Sequence, residues 1–428
     1  MIALPAKQRA RVVITGLGAI TPIGLTPNDF WQSLLAAKSG IAPVTLFDAS
    51  QYKTRIAGEI KNFDPANYHI DPKDARRMGR ATLFALAAAY DALKDAGFGD
   101  NLHDDFRAGV LLGTGLGGFV EAIKEHAAYE RQGTGRVSPF LAAVILPNMP
   151  AFYIAQRYRA HGFNSTVVTT CAAGTDAIGQ ATEVIRRGAA DVMLAGGADA
   201  IISDIIFTAF GAMRALSTRN DDPARACRPF DKNRDGLVIG EGAGILVLEN
   251  LEHALERRAK IYAEILGYAA NSDAYHFVAP DPEAISTTQV MREALGDAGV
   301  TIDQIDYINA HATATQLNDP SETLAIKKVF GARAYQIPIS STKSMVGHAM
   351  GAAGAFEAIV CALSLRDQKI HPTANYETPD PACDLDYVPN VARTAKLDVV
   401  MSNSFGFGGQ NACLILSKYD PALENTME

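Results

Sequence analysis

Residues 167–179 read VVTTCAAGTDAIG. A β-branched run stops at Cys171 and a train of small residues follows. Val167 to Thr170 suit a strand, and Ala172 to Gly179 suit a helix without a bulky face. A nucleophile at the turn between strand and helix is a geometry that acyl-transfer enzymes use. The start of a helix carries partial positive charge and unpaired N–H groups. This placement predicts a lowered pKa for the Cys171 thiol, N–H donors for a developing oxyanion, and room for an acyl group beside Ala172, Ala173 and Gly174. Taken alone, a cysteine ahead of Ala-Ala-Gly is more often a small buried hydrophobe. Its surroundings must carry the argument.

Working outward, the same plan recurs. RVVITG (11–16) predicts a buried strand before a glycine turn, and 27–38 an amphipathic helix capped near Asn28 or Asp29. An Ala-rich helix is expected over 74–97. GVLLGTGLGG (109–118) reads as a strand entering a glycine loop; a lone glycine pattern of this kind is weak evidence for a nucleotide site. After the quoted stretch, a helix over 172–187 leads to the strand of ADVMLAGGAD, and GLVIGEGAGILVLEN (236–250) reads as strand, glycine loop, strand. The second half repeats this order. ISSTKSMVGHAMGAAGAFEAIVCALSL (339–365) gives a strand, a turn and a small-residue helix, and LDVVMSNSFGFGGQNACLILSK (397–418) gives strand, glycine loop, strand. A helical stretch around 250–260 is the expected junction. The fold class is therefore α/β, with residues 1–258 forming the half that carries the cysteine and 259–428 the half that carries two notable histidines. Two Ala/Gly helices without bulky faces suit a central layer, which predicts five layers: helix, sheet, helix, sheet, helix.

Two of the nine histidines have unusual neighbours. His311 lies in INAHATATQLND, between a strand and hydroxylated residues. His348 lies in SSTKSMVGHAMGAAG, at the expected start of the second small-residue helix, where positive end charge would keep its ring neutral with one N–H to donate. The other seven, His103, His126 and His253 among them, read as surface or loop residues. NSFGFGGQN (403–411) offers a backbone that approaches a ligand closely.

Composition narrows the class. The chain has 428 residues, 48% hydrophobic, enough for a large core. A net charge of −8 argues against a nucleic-acid partner. No run of 18 apolar residues predicts a membrane span. The first residues lack a signal-peptide layout, so a cytoplasmic protein is expected. The five cysteines form no CxxC pair, which weakens metal and redox-motif readings.

With these stretches in place, the chain resembles the β-ketoacyl-acyl-carrier-protein synthases, most closely the type II elongating condensing enzymes. The resemblance runs from VVITGLGAITPIG to GFGGQNACLIL through TTCAAG, RALSTRND, RPFDKNRDGLVIGEGAGILVLE, NAHATAT, SSTKSMVGHAMGAAG and NSFGFGGQN. It implies a thiolase-like fold of two similar halves in an αβαβα arrangement, a homodimer, and Cys-His-His chemistry with no metal and no cofactor. Cys171 would take the acyl chain from acyl carrier protein, with the N–H groups of Cys171 and Phe407 as the oxyanion hole. His311 and His348 would hold the enolate formed when malonyl-acyl carrier protein loses carbon dioxide. Lys343 matches the active-site lysine as a site organiser, with Glu357 as its carboxylate and Asp319 and Glu322 close by. Thr313 and Thr315 match the malonyl site. Leu116, Phe210 and, across the dimer, Leu141 match the acyl pocket. Lys73, Arg76, Arg77 and Arg214 match basic positions that dock the acidic carrier.

Three positions depart from the family pattern: Ala312 and Ala314 replace the usual Gly and Ser, and Gln410 the usual Thr. Ala312 and Gln410 are expected beside the malonyl site, where they bear on extender or carrier preference. A polyketide ketosynthase would share the chemistry with another substrate. A non-catalytic chain-length subunit is disfavoured by the presence of Cys171, His311, Lys343 and His348. A degradative thiolase is disfavoured because NSFGFGGQN holds no second cysteine, Cys413 lying in a strand-like run.

Overall fold

The computed structural model describes residues 9–102 and 105–420. Ten strands make one continuous sheet: β1 Val12–Ile20, β2 Ala108–Gly113, β3 Asn164–Val167, β4 Val192–Asp199, β5 Gly242–Asn250, β6 Ala263–Ser272, β7 Tyr307–Asn309, β8 Ile339–Ser340, β9 Val399–Gly406 and β10 Gln410–Ser417. Their spatial order is β8-β7-β9-β10-β6-β1-β5-β4-β2-β3. This is the same five-strand pattern used twice. In each set the third, second and fourth strands run parallel, and the fourth, fifth and first pair antiparallel. The sets join through β1 and β6, where Val13 faces Glu264 and Ile14 faces Ala263.

Helices supply the remaining layers. α1 (Arg80–Ala96) packs on β1 and β5 at the outer face of the first set, and α3 (Ile285–Ala298) on β6 and β10 at the outer face of the second. Between the sets lie α2 (Ala173–Arg186) and α4 (Ala353–Asp367). α4 is buried on every side from Ala353 to Leu365. The small residues explain this position. A Cβ added at Gly354 would stand 2.1 Å from Thr175 Oγ1, and one at Gly174 2.8 Å from the Ala355 nitrogen. The expected five layers are present, and the small-residue helices are the middle one.

Local boundaries differ from expectation in three places. Thr26, not Asn28 or Asp29, caps the helix Pro27–Leu35, its hydroxyl accepting the Asp29 N–H at 3.1 Å. The helix expected over 74–97 is broken into Pro72–Ala75 and α1, the latter starting after Gly79 in extended conformation. Residues 237–241 form isolated bridges rather than a strand, because they face the Ala215–Ser217 segment, Gly58 and His348 instead of a ladder.

Candidate active site

β3 ends at Val167, and the chain turns through Thr170 with φ of 52° before a short 3-10 turn, Thr170–Ala172, leads into α2. A β-branched residue in the left-handed region is costly and needs neighbours to hold it. Here the Thr170 hydroxyl donates to the Phe407 carbonyl at 3.0 Å. Gly406 allows that approach, since a Cβ there would lie 2.4 Å from Thr170 Oγ1. The glycine loop after β9 is thus pinned over the cysteine. Cys171 is buried and lines a cavity of about 220 Å3 together with His311, His348, Phe210, Phe407, Thr313 and Thr315. The Phe407 N–H points at its sulfur.

The thiol is not acidic as it stands. Burial pushes it up to about 11, against the Phe407 N–H and the charge of Lys343, which act the other way. This corrects the expectation drawn from a helix start: taking a thiolate out of water outweighs the nearby donors.

His311 follows β7 by two residues. Its backbone is clamped by Glu322, which accepts the N–H of His311 at 2.9 Å and of Ala312 at 2.8 Å. Asp319 accepts the N–H of Thr313 at 3.1 Å and of Phe230 at 2.8 Å. His348 does not open the small-residue helix. It sits in the turn after Lys343–Val346, five residues ahead of α4, held by backbone bonds to Val238 and Gly240. Its Nδ1 accepts the Met350 N–H at 3.3 Å, which places the ring proton on Nε2. The two rings lie 5.3 Å apart at 83°. Both are held well below the usual histidine range by burial and by Lys343, so both are neutral. The expected neutrality of His348 holds, with burial rather than helix end charge as the cause.

Lys343 and Glu357 form a fully buried ion pair. Glu357 also accepts the Ser404 hydroxyl at 3.4 Å, and Ser404 meets Thr175 at 2.7 Å. Burial pushes the Glu357 carboxyl up, with Lys343 acting against it, and pushes Glu322 up to about 7.

Other expected residues divide. Thr313 and Thr315 line the cavity with their hydroxyls 3.1 Å apart, and Phe210 lines it stacked on Phe407 at 5.9 Å. Leu116 is exposed and Leu141 half-buried, and neither lines this cavity. Arg214 is exposed at the cavity and Lys73, Arg76 and Arg77 are exposed on and just after the Pro72–Ala75 helix, Arg77 lying 3.7 Å from Asp74. Ala312 and Gln410 do not reach the cavity lining: Ala312 is fully buried, and Gln410 pairs with Gly406 in the β9–β10 ladder. His371 is not a surface residue. It is fully buried, with Nε2 near Tyr307, Ser340, Thr342 and Asn309. His126 is exposed, His253 is partly buried against Glu249, and His103 lies outside the described residues.

Sequence reasoning missed Arg234, whose Nε donates to the Thr315 carbonyl at 2.9 Å and whose Nη1 meets Asp380 at 2.6 Å. It also missed Met350, with Sδ 3.8 Å from Cys171 Sγ, and Asp199 at the end of β4. Only Asp199 left a signal, a carboxylate closing an apolar strand. Among the described residues no group of acidic, His and Cys side chains is arranged to hold a metal ion, and no helix is long and apolar enough to cross a membrane.

A buried thiol facing two neutral imidazoles, on a doubled five-strand scaffold with glycine loops at its centre, defines a thiolase-like condensing enzyme. The chain belongs to the β-ketoacyl synthase family: the family's N-terminal domain matches residues 9–254 and its C-terminal domain residues 262–377. It is 47% identical over 411 residues to 3-oxoacyl-[acyl-carrier-protein] synthase 2 of Coxiella burnetii, covering 96% of this chain and 99% of that one. Against the protein of the same name from Staphylococcus aureus it is 46% identical, over 97% and 100%. Among solved structures, the ishigamide ketosynthase/chain length factor superposes with a TM-score of 0.88 at 40% identity, over 96% of this chain and all of that one. A type II polyketide ketosynthase in complex with its acyl-carrier protein gives 0.88 at 35% identity, with the same coverage.

Proposed function

We propose that the chain is a 3-oxoacyl-[acyl-carrier-protein] synthase that lengthens fatty acyl chains by two carbons through decarboxylative Claisen condensation. One observation supports this above all: the Cys171 thiol, the neutral rings of His311 and His348 and the Phe407 N–H meet in one buried cavity. In the first half-reaction Cys171 Sγ attacks the acyl thioester carbonyl. The carrier's sulfur leaves with the thiol proton, which a neutral imidazole can relay. The N–H groups of Cys171 and Phe407 hold the oxygen that becomes negative. In the second, the malonyl thioester carbonyl sits against His311 and His348 beside Thr313 and Thr315. The bond to the carboxylate breaks, carbon dioxide leaves, and the electron pair forms an enolate held by the two ring N–H groups. Its carbon attacks the acyl carbonyl, and the Cys171 sulfur departs and regains a proton. Both negative oxygens are met by neutral donors in a site shielded from water, where such donors act strongly.

Lys343, fixed by Glu357, organises the site, while Asp319 and Glu322 hold the His311–Thr313 backbone. Residues 1–258 supply the nucleophile and 259–428 both histidines. Phe210 borders the acyl pocket at the cavity, and Leu116 with, across a homodimer, Leu141 would bound its continuation outside that cavity. Lys73, Arg76, Arg77 and Arg214 dock the carrier in the cytoplasm.

Intact-protein mass spectrometry with a panel of acyl carriers tests this. The mass of one acyl group should appear, vanish when malonyl carrier is added, and be absent in Cys171→Ala. A folded protein that no donor acylates would end the proposal. Acylation by poly-keto chains but not by saturated ones would instead favour a polyketide substrate, the class of the 35% identical structure.

A further inference from the structure

Two segments far apart in the chain meet on one carboxylate. Asp199 closes β4 and is fully buried. Its Oδ1 accepts the Thr114 hydroxyl at 2.7 Å and the Leu116 N–H at 3.5 Å, and its Oδ2 accepts the Gly115 N–H at 2.7 Å and the Gly351 N–H at 2.6 Å. The space is shaped around it. A Cβ on Gly351 would stand 2.7 Å from Oδ2, and one on Gly115 would stand 3.1 Å from Oδ2 and 3.4 Å from the Met350 Cβ.

The first segment carries Leu116. The second carries Met350, which bears on both sides of the chemistry. Its Sδ lies 3.8 Å from Cys171 Sγ, and its N–H is the donor to His348 Nδ1. Met350 adopts φ of 48°, a left-handed conformation that a long side chain keeps only when its neighbours impose it. The Asp199 bond to the next peptide is one such restraint.

We propose that Asp199 is a positioning residue that holds the Leu116 loop and the Met350 turn as one unit, so that its carboxylate sets both the seat of Met350 beside the Cys171 sulfur and the tautomer of His348. It touches no reacting atom. With the Met350 N–H aimed at Nδ1, the His348 proton stays on Nε2. If that peptide turns away, Nδ1 loses its donor and the two tautomers become closer in energy. The effect on turnover rests on the condensing-enzyme reading; the effect on the tautomer rests on the geometry alone.

Asp199→Leu keeps a similar volume but removes both acceptor oxygens. The Gly115 and Gly351 N–H groups, which share Oδ2, then lose their partner and the two segments are no longer tied. Asp199→Asn can keep both bonds by placing its amide oxygen where Oδ2 stands. In protein labelled with 15N-histidine, with the His348 signals assigned by their loss in His348→Gln, the wild type should show the Nε2-protonated tautomer. The Leu variant should show a mixture, and the Asn variant should stay near the wild type. Malonyl-thioester decarboxylation should fall about 10- to 100-fold in the Leu variant, the scale of a misplaced catalytic group, with KM within about threefold. A folded Leu variant with wild-type His348 signals and turnover within about twofold would overturn the proposal. Should that variant fail to fold, Gly115→Ala presses a methyl on the same carboxylate and on Met350, and both readouts apply to it. If wild-type protein accepts no acyl or malonyl donor, the condensing reading falls, while the nitrogen spectra still decide the role of Asp199.

Discussion

Cys171 sits under Phe407 and behind Thr170, and loss of water holds its thiol at about 11. Iodoacetamide alkylation of Cys171, followed by mass, should therefore climb about tenfold per pH unit from pH 7 to 9. A plateau near pH 8.5, the ordinary cysteine range, would show that the thiol ionises as an open one. The proposed nucleophile thus rests as a thiol beside neutral imidazoles, and in the proposed reaction each turnover moves its proton. Glu322 shows the same contest in a carboxylate. Burial raises it from the usual 4.5 to about 7. The folded chain then binds that proton more tightly than the unfolded one. This stabilisation is present at pH 4.5 and fades as pH rises through 7. Glu322→Gln removes the titration, so its stability deficit against wild type should shrink from pH 5 to pH 7.5, measured by urea unfolding. A deficit that stays constant or grows would contradict the raised carboxyl. The identities of Cys171, His311 and His348 were legible in the sequence. Their ionisation was not, because it depends on how many neighbours exclude water.

At the scale of elements, α2 and α4 carry the design. Their small residues were readable as a central layer, and the contact at Gly354 shows why: α4 approaches Thr175 so closely that no methyl fits. Gly354→Ala should cost about 1–3 kcal/mol by overpacking. The same change should loosen the path from Thr175 through Ser404 to Glu357. Urea unfolding with an unchanged m-value checks the first; a loss of turnover larger than the loss of folded protein checks the second. The short strands β7 and β8 behave differently. With three and two residues, they were readable as strands ahead of His311 and Lys343, but runs so short do not fix their neighbours. β7 is held as a strand by β9, and β8 in turn by β7. The segment 237–241 looked like a strand and is not one, because no ladder partner runs beside it.

At the scale of the molecule, a chain of net charge −8 keeps Lys73, Arg76 and Arg77 exposed together. Such a local basic patch on an acidic body steers an acidic partner to one face. Lys73→Glu combined with Arg76→Glu should raise KM for acyl carrier protein about tenfold at low salt and leave kcat nearly unchanged. The difference should narrow as salt screens the patch. Equal KM values at low salt would remove these residues from docking. The doubled five-strand order is the other property of the whole molecule, foreshadowed by the repeated strand, glycine loop, strand units. By itself the sequence determined the α/β class, the doubled plan, the strand–cysteine–helix turn and the residues proposed to carry the chemistry. Those features are local, written in short patterns of side-chain size, branching and glycine. Only the tertiary structure decided that Cys171, His311 and His348 share one cavity, that the thiol is held up rather than down, that Leu116 and Leu141 stand off that cavity, and that Asp199 joins two loops. The reason is physical: burial and convergence are sums over neighbours brought from distant parts of the chain, and no short window of sequence contains those neighbours.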